Sequence, residues 1–179
     1  MRINQYVALL DACVLASMPV ADTLLRLAEE PAFYTPRWSK DILEELRRTL
    51  IKFGYDEVQA SRRLERMQAA FPDALVKGYE GLIPAMMNHP KDRHVFAAAV
   101  RCEAHCIVSD NKRHFLSDLL QPFDLECMTA DQFIENQYHL NPDLFIDKLR
   151  QQAEDIQWSL PKLISKHVPC LGKLIVMKK

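Results

Sequence analysis

Short apolar runs alternate along the chain with longer stretches in which apolar residues recur every three or four positions. The first run, YVALL at 6–10, is rich in β-branched and aromatic character and stops at Asp11, which predicts a buried strand. Val20 to Ala28, after Pro19, reads as a helix, and Phe33-Tyr34-Thr35 as a second short strand closed by Pro36. Ser39 then caps KDILEELRRTLIK, where Ile42, Leu43, Leu46, Leu50 and Phe53 fall on one stripe at about 100° per residue. Gly54 ends that helix, and Asp56 opens another that runs to Ala70 before Pro72. Leu75-Val76 is a weak third strand, and 78–91 reads as a loop. Asp92 heads an Ala-rich helix, DRHVFAAAVRCEA. Cys106-Ile107-Val108-Ser109 is a strong buried strand, again followed directly by an Asp. A short helix at 112–120, a fifth strand near Leu125–Met128 and a helix from Thr129 to about Tyr138 complete the alternation.

Strands that alternate with helices imply a parallel sheet covered on both faces by right-handed crossovers. The expected class is α/β, a three-layer α/β/α sandwich with a central parallel sheet of about five strands. From Asn141 the pattern changes to one more helix (143–155), then Pro161, Pro169 and an apolar LIVM before two lysines. The expected division is therefore a domain at 1–139 and a C-terminal helical appendage at 140–179.

Composition narrows the class. A chain of 179 residues and 20.7 kDa, 49% hydrophobic and 26% charged, excludes intrinsic disorder and suits one compact domain. Only 4 Gly, with neither GxxxxGK[ST] nor GxSxG, argue against phosphate-loop and α/β-hydrolase chemistry. The 23 basic and 24 acidic residues nearly cancel, which excludes a strongly basic nucleic-acid coat but leaves room for a local patch. No apolar run reaches the roughly 18 residues of a membrane span, and Asp11 interrupts the N-terminal run too early for a signal-peptide core. Five Cys scattered through apolar contexts read as reduced thiols, hence a cytoplasmic expectation.

Two strands end in Asp, LLD at Asp11 and IVSD at Asp110, and Asp92 starts the helix leading into the second of them. Ligands of open parallel sheets sit beyond the carboxyl ends of the strands, where strand order reverses. Carboxylates gathered there repel one another, and a hard cation such as Mg²⁺ or Mn²⁺ relieves the repulsion. Asp92 shares a helix face with Val95, Phe96 and Ala99; it would also serve as a plain N-cap. With Ile42 at 0°, Glu45 stands at about 300°, beside the apolar stripe, and Glu44 at about 200°, opposite it. Glu45 can thus reach a cleft at the sheet edge, or be an ordinary solvated charge. Arg37, Lys40, Arg47, Arg48, Lys52, Arg62, Arg63 and Arg66 could contact phosphates, or form a solvated surface with the acids among them. Arg93, Lys112, Arg113 and His114 lie nearer the expected pocket, while His89 and His94 read as surface residues, with His94 in reach of a substrate. Cys102, His105 and Cys106 lack a partner pair for zinc, and Cys13 lacks a His partner for nucleophilic catalysis. Cys13 also stands where a haloacid-dehalogenase-type phosphatase would want a second Asp.

The segments LLDACVL, WSKDILEELRRTL, PKDRHVFAAAV and CIVSDNKRHF, in this order, resemble the PIN-domain nucleases, especially the VapC-like toxins of toxin–antitoxin pairs. The resemblance covers roughly residues 5–135. It implies an acidic pocket that holds Mg²⁺ or Mn²⁺ and hydrolyses RNA, a cognate antitoxin and a homodimer. Carried over by position, Asp11, Glu45, Asp92 and Asp110 match the acidic set, with Asp11, Asp92 and Asp110 as metal ligands. Ser109 stands where such proteins usually have Thr or Ser. Many relatives read Thr-any-Asp or Thr-any-Asn there, which puts Asn111 at the fourth pocket position; Asp110 is retained because a carboxylate is the better ligand. Ser109, Asn111, Arg93, Arg113 and His114 are the expected substrate contacts. The rival expectation, prompted by Asn111 and the near-neutral charge, is a catalytically inactive PIN-like scaffold that binds RNA or protein.

Overall fold

The computed structural model describes residues 6–167. Cys170 and the apolar LIVM segment, the latter a candidate contact for an antitoxin or a second copy, lie outside the described residues. Five strands form one sheet, β1 (Val7–Leu10), β2 (Thr35–Ser39), β3 (Leu75–Val76), β4 (Cys106–Val108) and β5 (Glu126–Met128), in the order β3-β2-β1-β4-β5. All four pairings are parallel. The expected α/β sandwich around a parallel sheet is thus present.

The chain first walks from β1 to β3 in one direction and then crosses to β4 and β5 on the other side of β1. Right-handed connections running in opposite directions place their helices on opposite faces. The helices are α1 (Ala12–Ala16), α2 (Val20–Ala28), α3 (Lys40–Lys52), α4 (Glu57–Ala70), α5 (Arg93–Arg101), α6 (Ser117–Leu120), α7 (Ala130–Leu140), α8 (Pro142–Asp155) and α9 (Leu160–His167). The alanines at 97–99 are fully buried, so α5 approaches β1, β2 and β4 closely. Leu9, Leu10, Trp38, Ile42, Leu46 and Ile107 form the centre of the core.

Three expectations need correction. The second strand is Thr35–Ser39, not Phe33–Thr35, and Pro36 lies inside it. Thr35 N–H faces β1, where it donates to Tyr6 O, and Trp38 N–H faces β3, donating to Ala74 O. By alternation the nitrogen of Pro36 faces the β3 side, and β3 begins only opposite Trp38, so no ladder bond is lost. The helix expected at 112–120 is a 3-10 turn (Lys112–His114) followed by the short α6. The loop expected at 78–91 contains two 3-10 turns, Glu80–Ala85 and Pro90–Asp92.

Helix α8 packs on α2 and α7 through the buried Phe145, Leu149 and Ala153. Lys148 Nζ donates to Arg26 O and Glu29 O at 2.8 and 2.9 Å, satisfying carbonyls at the end of α2. Gln152 accepts from the Thr23 hydroxyl at 2.7 Å and donates to Pro19 O at 3.1 Å. Arg26 bridges Asp22 and Asp155.

Candidate functional site

β1 and β4 are adjacent at the reversal of strand order, with Leu10 opposite Val108. Asp11 continues that register, its N–H donating to Val108 O at 3.1 Å. The next side chains along, Asp11 and Ser109, meet beyond the strand ends. Ser109, fully buried, donates from its hydroxyl to Asp11 Oδ2 at 2.6 Å and accepts from Asn111 N at 3.1 Å. Asp11 Oδ1 accepts from Ala12 N at 2.7 Å, so this carboxylate also caps α1. The Cys13 thiol donates to Asp11 Oδ2 at 3.3 Å. The α1 turn, unforeseen in the sequence, holds Cys13 against the Asp.

Asp11 is 3% exposed. Burial raises its pKa above 3.8; the bonds from Ser109 and Cys13 oppose this, and Glu45 and Asp92 add to it by repulsion. Glu45 and Asp92, from distant parts of the chain, therefore each lie close enough to Asp11 to repel its charge. Among the described residues no Lys or Arg pairs with Asp11. Such a set, short of positive charge and made of hard oxygen donors, fits Mg²⁺ or Mn²⁺.

Glu45 projects from α3 beside the apolar stripe, and Glu44 points to solvent, where it pairs with Arg47 and Arg48. Glu45 Oε2 lies 3.5 Å from His94 Nε2 on α5. The His94 contact holds Glu45 below the usual carboxylate range, with burial opposing. Burial pushes His94 down, but Glu45 outweighs it and the net shift is upward. His94 is only 17% exposed at its side chain, so its reading as a surface residue is corrected.

Asp92 closes the Pro90–Asp92 turn and is 6% exposed. Its side chain makes no capping bond to α5; Oδ2 instead lies 2.5 Å from His114 Nδ1. Asn88 Nδ2 donates to Asp92 O at 3.0 Å and ties the turn back on itself. His89, exposed, stacks on His114 with ring centroids 4.1 Å apart and planes 11° apart. Sequence reading missed Asn88 and His89 as neighbours of the pocket. A polar His-Pro turn at i, i+3 from Asp92 was the available signal.

Asp110 is exposed, and its Oδ1 accepts from Ala130 N at 3.1 Å, at the start of α7. Burial raises the pKa of Asp131 and of Cys127, and repulsion from Asp110 adds to both. Asn111 is tied to Ser109 through its backbone. Arg93 donates to Asn88 O at 3.4 Å, and Arg113 is exposed. Of the wider basic set, Arg47 is taken by Glu44 and Glu57, Arg37 by Asp73 O and Arg63 by Leu15 O. For these three, a role within the fold accounts for the charge.

Cys13 is pushed up to about 12 by burial and by Asp11, so it stays a thiol near neutral pH. His105 Nδ1 accepts from Val7 N, while Cys102 and Cys106 turn to backbone carbonyls, so the three form no common ligand set. The cysteines among the described residues are free. No helix among the described residues is long and apolar enough to cross a membrane.

No protein-family profile matches the chain, and no solved structure matches it. Over 67 residues it is 48% identical to a protein of Mycobacterium tuberculosis provisionally named ribonuclease VapC50. That stretch covers 37% of this chain and 40% of the relative, so the chain spans less than half the length of the relative it matches. With the five-stranded parallel sheet, the match bears out the resemblance to VapC-like PIN-domain ribonucleases.

Proposed function

We propose that the protein is a divalent-metal-dependent endoribonuclease of the VapC type, the toxin of a toxin–antitoxin pair. The observation that carries this reading is the buried Asp11 carboxylate, repelled by Glu45 and Asp92 at the reversal of strand order and paired with no Lys or Arg among the described residues.

Asp11 and Asp92 would hold Mg²⁺ or Mn²⁺, which when bound neutralises phosphate charge and acidifies water. Ser109 fixes the orientation of Asp11 through its 2.6 Å bond. Glu45, kept ionised by His94, takes the proton of the attacking water. The water oxygen bonds to phosphorus as the P–O3′ bond breaks, and the leaving 3′ oxygen takes up a proton. The products are a 5′-phosphate and a 3′-hydroxyl. Arg93, Arg113, Asn111 and His114 would serve as phosphate and base contacts. Asp110 is assigned the supporting role of fixing the α7 end beside Ser109, with Asn111 at the fourth position. A cognate antitoxin, a homodimer and a cytoplasmic location belong to the same proposal, as does the treatment of 140–179 as an appendage.

The engagement of Asp110 at Ala130 N–H favours one second reading, a PIN-like scaffold that binds RNA without cutting it. Incubating the purified protein with labelled single-stranded RNA and Mn²⁺ separates the two. The nuclease reading expects cleavage that stops with EDTA, in Asp11→Asn and in Asp92→Asn. Cleavage that persists through all three treatments defeats metal catalysis, and binding without cleavage supports the scaffold.

A further inference from the structure

We propose that His89, Asp92 and His114 form a nitrogen-rich site for a borderline divalent cation of the zinc class, and that its occupation withdraws Asp92 from the pocket of Asp11. The inhibitory half of this proposal rests on the nuclease reading; the binding half does not.

The three residues come together for local reasons. The Pro90–Asp92 segment is a 3-10 turn, in which positions three apart eclipse, so His89 and Asp92 stand on one side of it. His114 closes a second 3-10 turn after β4 and reaches the same carboxylate. One ligand atom from each residue lies within 4.8 Å of the others. Ligands at the usual distance of about 2.0–2.2 Å from zinc stand roughly 3–3.5 Å apart. A modest contraction is therefore required, and the stacked rings must part so that both in-plane lone pairs meet the ion. His89 is exposed, and its ring is held by the stacking on His114 and by a long bond of 3.4 Å that Nδ1 accepts from Lys91 N, so the movement gives up only these two contacts. Asn88 holds the Asp92 carbonyl and keeps the turn in place meanwhile.

The donor set decides the ion. Two imidazoles and one carboxylate are poor ligands for Mg²⁺, which prefers oxygen and keeps its waters. They suit Zn²⁺, as in catalytic sites with two His and one carboxylate. The Asp11 side of the pocket offers carboxylates, a hydroxyl and a thiol with a raised pKa, so the two sides differ in preference while sharing Asp92. An ion on the histidine side fixes the Asp92 carboxylate there.

The test is a calorimetric titration of chelator-treated protein with Zn²⁺, repeated with Co²⁺ and read by its visible ligand-field bands. One tight site is expected in the native sequence. His89→Ala, an exposed change that spares the core, should weaken Zn²⁺ at least about 10-fold, the loss that removing even a hydrogen-bond partner of a metal ligand causes. Asp11→Asn should leave it intact. Manganese-supported RNA cleavage should fall as Zn²⁺ is added, and the fractional loss, taken relative to each protein's own zinc-free rate, should be smaller in His89→Ala. Equal Zn²⁺ affinity in His89→Ala overturns the site, as does binding lost in Asp11→Asn but kept in His89→Ala. Equal zinc inhibition of His89→Ala overturns the competition. If no RNA is cleaved under any condition the nuclease reading fails, while calorimetry and the cobalt bands still decide the site.

Discussion

Ser109→Ala removes the hydroxyl that holds Asp11 and leaves the backbone and Cβ in place. The hydroxyl is fully buried and donates at 2.6 Å to an acidic side chain. A hydrogen bond to a charged partner contributes about 1.5–3 kcal/mol net. The Asn111 amide loses its acceptor in the same change. We expect a loss of about 2 kcal/mol in EDTA above the folded pKa of Asp11, where the carboxylate is charged. For a chain of this size that lowers Tm by about 4–8 °C. Urea unfolding followed by circular dichroism measures it.

The pH dependence carries a sign. Asp11 has a pKa raised above 3.8 in the folded state, chiefly by burial, so its contribution to stability is full below 3.8 and is lost as pH rises through the folded value. Ser109 opposes the rise, so its removal raises the folded value further and enlarges that loss. The gap between native and variant proteins should therefore widen as pH rises through the folded pKa. Below it the gap should shrink to about 1 kcal/mol, the contribution of a neutral bond. A loss under about 0.5 kcal/mol, within the range of ordinary surface changes, would refute the reasoning. So would a gap that stays constant with pH.

Glu45→Gln keeps the shape of the side chain but cannot accept a proton. It should lower kcat for RNA by about 10²–10⁴ with little change in KM, measured under saturating Mn²⁺; unchanged turnover would remove Glu45 from catalysis. Lys148→Met deletes two bonds to the end of α2. Chemical denaturation should show a loss of about 1–3 kcal/mol, with cleavage unaffected well below the unfolding transition; undiminished stability would mean that α8 does not staple α2.

The features written in local patterns were legible in the sequence. Ser39, Asp56 and Thr129 stand as caps where the side-chain rule places them, each accepting from a backbone N–H of the first turn. The helical wheel separated Glu45 from Glu44 correctly, because one stripe of α3 is buried. Pro36 misled because proline is disfavoured inside a sheet only where its nitrogen faces a partner strand, and the extent of β3 is not a local property. His94 resembled a surface charge because the helix that covers it, α3, lies about fifty residues earlier in sequence. His89 and His114 come together through two separate 3-10 turns, and neither turn predicts the other. Asp110 shows the same limit: its nearest acceptor role, at Ala130, depends on where α7 begins relative to β4.

The most direct test is an anomalous difference map from crystals of the protein soaked in Mn²⁺. The account predicts a peak between the carboxylates of Asp11 and Asp92. Manganese bound elsewhere, with no density shared by those two side chains, would contradict it.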